Sequence, residues 1–198
     1  NAGNVTLKSN NTALDLSGDI VALGGTGSSS GTAGTVTLGS ATGANSVGSV
    51  TQTAGKITAG SITVFSDSGN VSLNSSTNDA NLGAVTTTGG NFTYQDANAV
   101  TLNGAIATGK TGANSGTVSI TAGGLLTVNA AITTTGANNG AGVGFNGGDV
   151  TLTTTAGGIT TAAAGDITTS GGTGSSAAGG NAGNVTLKSN NTALDLSG

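Results

Sequence analysis

NVTL at 4–7 returns as TVTL at 35–38, SITV at 61–64, TVSI at 117–120, DVTL at 149–152 and NVTL at 184–187, with NFTY at 91–94 as an aromatic version. Each copy reads polar, apolar, Thr or Ser, apolar. Alternation of this kind marks a strand with one face buried. The first apolar positions are Val5, Val36, Ile62, Phe92, Val118, Val150 and Val185, at intervals of 31, 26, 30, 26, 32 and 35. The average is 30, so the stretch from Val5 to Val185 holds six units of similar size.

A second repeat encloses the first. Residues 1–18, NAGNVTLKSNNTALDLSG, recur without a mismatch at 181–198. Chance does not supply such an identity. An engineered duplication would explain it. A window on a tandem array with a 180-residue unit explains it more simply. Residues 1–180 are then one six-coil unit, and 181–198 open the next identical one.

Each small unit carries further strand signals. A second apolar pair follows the first at Leu14 and Leu16, Val71 and Leu73, Val100 and Leu102, Leu126 and Val128, and Leu194 and Leu196. A third, weaker signal centres on Ile20, Ile57, Val85, Ile106, Ile132 or Ile167. Gly, Asn, Asp and Ser separate them, as turns require. Longer Gly-rich stretches at 24–34, 109–116, 136–148 and 170–180 vary in length, as insertions at one corner of a regular coil do. One three-strand coil buries almost nothing, whereas stacked coils bury like on like. The spacing predicts an all-β, right-handed parallel β-helix (β-solenoid) with about three short strands and about 30 residues per coil. The handedness rests on the crossover preference of parallel strands. A stacked β-sandwich repeat and a two-sheet solenoid are the alternatives.

Two inward columns follow. One is Val5, Val36, Ile62, Phe92, Val118, Val150 and Val185; the other is Leu7, Leu38, Val64, Tyr94, Ile120, Leu152 and Leu187. A buried Tyr94 needs a partner for its hydroxyl. Between the columns an outward ladder runs through Thr6, Thr37, Thr63, Thr93, Ser119, Thr151 and Thr186. Thr suits an exposed strand for structural reasons alone. A flat hydroxyl array would also suit ice or a glycan, although Asn4, Ser61, Asn91 and Asp149 interrupt a second file.

Composition narrows the chemistry. Of 198 residues 38 are Gly and 36 Thr, while Pro, Cys, Met, Trp, His, Arg and Glu are absent. Weak helix formers dominate, so long helices are not expected. Without Cys there are no disulfides or thiolate metal sites. Without His there is no imidazole base. Four scattered lysines, Lys8, Lys56, Lys110 and Lys188, make no track for nucleic acid. No apolar run is long enough to span a membrane as a helix. The carboxylates are Asp15, Asp19, Asp67, Asp79, Asp96, Asp149, Asp166 and Asp195. Paired acid–base work needs two of them close together. Structural calcium needs several in one cage, and the Gly-Gly-x-Gly-x-Asp nonapeptide is missing: Gly171–Ser176 begins it without the Asp. No catalytic residue and no cofactor is assigned, with structural calcium as the alternative.

GNVTLKSNN at 3–11, GSITVFSDSGNVSLNSS at 60–76 and GGDVTLTTTAGGITTAAAGDITTSGG at 147–172 resemble the β-helical repeats of large bacterial surface proteins. The group they resemble is the filamentous-haemagglutinin-like one, secreted by two-partner or autotransporter routes. The resemblance implies a stalk that holds a terminal domain away from the cell. The expected function is therefore an extracellular structural repeat, a rigid stalk or fibre of a giant cell-surface adhesin or matrix protein, serving adhesion, biofilm or cell–cell contact. Its expected partners are neighbouring copies of the repeat, other cell surfaces and matrix. An ice- or glycan-binding solenoid is the alternative. A polysaccharide-degrading β-helix enzyme fits less well, since it would cluster Asp, Lys or Arg with aromatic platforms.

Overall fold

A computed structural model describes residues 1–26, 30–40, 46–175, 178–190 and 192–197. Residues 27–29 and 176–177, in two of the expected loops, lie outside the described residues, as do 41–45, Asn191 and Gly198. The described residues contain no helix. Their strands are, in chain order, β1 (Val5–Leu7), β2 (Ala13–Leu16), β3 (Ile20–Ala22), β4 (Thr35–Leu38), β5 (Ser49–Gln52) and β6 (Ile57–Ser66). Next come β7 (Val71–Leu73), β8 (Asp79–Thr87), β9 (Phe92–Asp96), β10 (Val100–Leu102), β11 (Ile106–Ala107), β12 (Val118–Ala122) and β13 (Leu126–Val128). The last are β14 (Ile132–Thr133), β15 (Val150–Thr154), β16 (Ile159–Thr161), β17 (Ile167–Thr168), β18 (Val185–Lys188) and β19 (Leu194–Asp195).

These strands form one sheet of seven and one of twelve, and their ladders are parallel. The smaller sheet orders β2, β5, β7, β9, β12, β15 and β18 in chain direction, while the larger takes the remaining strands. Long strands β6 and β8 join two faces of the larger sheet. β6 pairs with β3 through Ile57–Ala59 and with β4 through Ser61–Val64. Ladder partners are distant along the chain, as Leu102 is from Leu82 and Ile57 from Ile20. Parallel pairing of segments that far apart requires the chain to return over itself in one direction, and the arrangement fits a β-solenoid.

Like meets like along the ladders. One column runs Leu7, Leu38, Val64, Val85, Ile106, Ile132, Ile167. Facing it, a second runs Leu14, Val50, Val71, Phe92, Val118, Val150, Val185. The middle members of both are buried and the end members are not, because nothing covers the last level. Each fully buried aliphatic or aromatic side chain contributes roughly 1.5–3 kcal/mol. The core is thus a stack of thin layers, each closed by the next.

The two inward columns expected from the spacing are each divided between the sheets. Val5, Val36 and Ile62 stack, but above Ile62 comes Leu82, not Phe92. Phe92, Val118, Val150 and Val185 stack in the other sheet, over Val71. Leu7, Leu38 and Val64 likewise continue to Val85, whereas Tyr94, Ile120, Leu152 and Leu187 continue from Leu73. The reason is corner length. From Ile62 the chain is back in the same sheet by Leu82, so the interval to Phe92 holds one short return and a further strand. VSL at 71–73 and VTL at 100–102 carry the same pattern as NVTL at 4–7, and alternation alone cannot say which stacks on which. Nor does the 180-residue unit close after six whole returns: that would put Val185 above the column of Val5, and it lies in the opposite sheet.

Candidate functional site

Loops of varying length follow Ser66, Thr87, Thr108, Thr134 and Thr169 at one corner, and each is tied at its base in the same way. An inward hydroxyl at the end of one strand donates to the carbonyl of a glycine beyond the loop. The pairs are Ser66 to Gly69 (3.0 Å), Thr87 to Gly90, Thr108 to Gly116 (2.7 Å), Thr134 to Gly148 (2.6 Å) and Thr169 to Gly183 (2.8 Å). For the three longest loops the glycine N–H also donates back to the main-chain carbonyl of Thr108, Thr134 or Thr169. Loops as short as Asp67–Ser68 and as long as 135–147 therefore share one hydroxyl-to-glycine base. The stretch at 24–34, expected at that corner too, instead joins β3 to β4 at another, where the Gly34 N–H donates to the Ala22 carbonyl.

These glycines stack as well. A Cβ on Gly69, Gly90, Gly116, Gly148 or Gly183 would stand 2.0–2.1 Å from the carbonyl oxygen of the glycine one level before. Positive φ, by contrast, belongs to other glycines among the described residues: Gly39, Gly55, Gly89, Gly112 and Gly157. Close approach, not turn geometry, holds the column to glycine.

One buried polar cluster interrupts the apolar stack. Gln52 Nε2 donates to Asn78 Oδ1 and Asn78 Nδ2 donates to Gln52 Oε1, both at 2.9 Å. Asn78 Oδ1 also accepts the N–H of Ile57 at 2.8 Å. Beside them the Tyr94 hydroxyl lies 2.6 Å from the carbonyl of Ala80 and 2.5 Å from Asp96 Oδ2. Tyr94 and Asp96 are both buried. Loss of water pushes the Asp96 carboxyl above its usual range, against the Tyr94 hydroxyl and the N–H groups of Ala80 and Asn98, which pull it down. Burial, then the nearby Asp96 charge, raises the Tyr94 phenol. Asp96 Oδ2 accepts from the Tyr94 hydroxyl and from the N–H of Ala80, while Oδ1 accepts the N–H of Asn98. The sequence calls for a Tyr94 partner without naming it: Asp96 is one carboxylate of eight and Gln52 and Asn78 carry no signal, because nothing in a local polar residue tells which way it faces at a corner.

The outward ladder divides with its sheets. Thr6, Thr37 and Thr63 pair in the larger sheet, and Thr93, Ser119, Thr151 and Thr186 pair in the smaller. Thr51 and Ser72 extend the second group, giving a file of six hydroxyl residues with Asp15 at its foot. The next outward file reads Gln95, Thr121, Thr153, Lys188 and is not a hydroxyl file. Asp79 lies near enough to Asp96 to push its carboxyl up further, and among the described residues no three of His, Cys, Asp and Glu come together. A cavity of about 640 Å³ between Asp19, Gln52, Lys56, Asn74 and Thr77 has one carboxylate in its lining.

The ends differ from the flank. Among the described residues β1, β2 and β3 have strand partners on one side only, as have β17, β18 and β19. Apolar side chains are left open there: Val21 and Leu23 near one end, and Val185, Leu194 and Leu196 at the other. At the second end Ile167, Val185, Leu187 and Leu196 line a cavity of about 280 Å³.

Comparison with family models, curated proteins and solved structures finds no match for this chain. No helix among the described residues is long and apolar enough to cross a membrane.

Proposed function

We propose that the chain is a segment of a rigid extracellular fibre, a tandem stalk of a giant bacterial surface protein that serves adhesion, biofilm or cell–cell contact. The observation that carries this reading is the stacking of like residues down columns that end in open strands. Such a body extends along one axis without limit and needs no ligand to complete it. Its coils are right-handed by the usual crossover preference. They average about 27 residues, an ordinary size for a solenoid repeat, since six returns take the chain from Leu7 to Ile167. The partners are further copies in tandem, with other cells or matrix at the far end. Antibody raised against this chain should decorate intact, unpermeabilised bacteria that make it, along fibres whose length scales with unit number. Labelling only after lysis would overturn the reading.

The six-level hydroxyl file favours one second reading, a glycan- or ice-binding flank. Shaped ice crystals, or retention on a glycan array that is lost when Thr93 and Thr151 become Lys, would support it. Neither effect is expected from a plain stalk.

A further inference from the structure

We infer that successive 180-residue units join out of phase, each turned about a third of a revolution from the last. This rests on the tandem-fibre reading and adds how the units meet. The same stretch occurs at 1–18 and at 181–198 and occupies two different places. In the first copy Val5–Leu7 lie in the twelve-stranded sheet and Ala13–Leu16 in the seven-stranded one. In the second copy Val185–Lys188 extend the seven-stranded sheet, and Leu194–Asp195 the twelve-stranded one.

One local bond is the same in both. Ser9 Oγ donates to the Thr12 carbonyl at 2.6 Å, and Ser189 Oγ to that of Thr192 at 2.7 Å. The same pair of strand-forming stretches takes two different seats. The second seat is built for it: Val185 to Leu187 pair with Val150 to Leu152, and Leu194 pairs with Ile159. Asp149 Oδ1 accepts the N–H of Asn184 at 2.6 Å, and the Thr155 carbonyl accepts Asn190 Nδ2 at 2.6 Å. In the first copy Asn4 does for the level above it what Asp149 does here, accepting the N–H of Thr35 at 2.9 Å.

The offset follows from counting. Six returns carry Leu7 to Ile167, and the next strand after Ile167 is the one that holds Val185. A unit is thus six returns and one strand. With three strand positions per return, the extra strand is about a third of a turn, and the unit rises about 30 Å at the spacing of parallel strands. The strand that follows in the next unit, a copy of Ile20–Ala22, then falls over Ile167–Thr168. Three units restore the starting face.

Paired cysteines test the joint, since the chain has none of its own. Under mild oxidation Thr151→Cys with Thr186→Cys should close, and Asp166→Cys with Thr186→Cys should stay open. In a chain lengthened by a further copy of residues 19–198, Thr168→Cys should close with Val21→Cys of the appended copy. Closure of the Asp166 pair in place of the Thr151 pair means units in phase and overturns the inference. Small-angle scattering of the same samples separates the two readings. A rod with the wrong cross-links sinks the phase and leaves the fibre, whereas a compact particle sinks both.

Discussion

Gly148 has no room for a methyl group. A Cβ there would meet the Gly116 carbonyl oxygen at 2.0 Å, and both neighbours are backbone that cannot swing aside. Gly148→Ala should therefore destabilise the chain by about 3 kcal/mol or more, in the range kept for backbone clashes and core disruption. Chemical denaturation followed by circular dichroism measures it. Gly25, whose Cβ would meet nothing, serves as the control and should change little. Asp96 sets a second test at this scale. Its folded form favours the proton, so its contribution is whole below the ordinary carboxyl range and is lost as the pH rises through its elevated folded value. Melting temperatures compared between the native chain and Asp96→Asn, from about pH 3 to 7, should show a fall with rising pH in the native chain that the Asn variant lacks. Parallel curves would mean that Asp96 ionises as freely folded as unfolded.

The loop base is the element that gives the corner its tolerance. Thr134→Val keeps the shape and removes the bond to the Gly148 carbonyl, at a cost of about 1–2 kcal/mol. Shortening 135–147 to the Asp67–Ser68 pair that serves the same corner lower down should cost less than that, because closure entropy changes slowly with length. Equal losses from the two changes would deny the base its role. Strand existence was legible from alternation, and the Val-Thr-Leu segments are strands as spacing predicts. Sheet membership was not, because VSL at 71–73 and VTL at 100–102 read alike yet lie in different sheets. Their difference is the length of chain spent in each corner, and a short Gly/Asn/Ser corner has the same chemistry as a long one. For the same reason the inward hydroxyls of Thr108 and Thr134 looked like two more threonines among many. The signal that would have found them is a Thr before each variable stretch with a Gly after it.

At the scale of the whole molecule the open ends govern behaviour. Unpaired parallel strands flanked by Val185, Leu194 and Leu196 invite a further level. Sedimentation at rising concentration should show end-to-end association, and Val185→Lys with Leu187→Lys at that end should reduce it. A chain that stays monomeric at all concentrations, with or without those lysines, would contradict the stickiness of the ends. The phase of the joint reaches further than assembly. In the proposed fibre each copy gained or lost would lengthen or shorten the shaft and also swing its far end to a new compass bearing, and only changes in threes would leave that end facing as before.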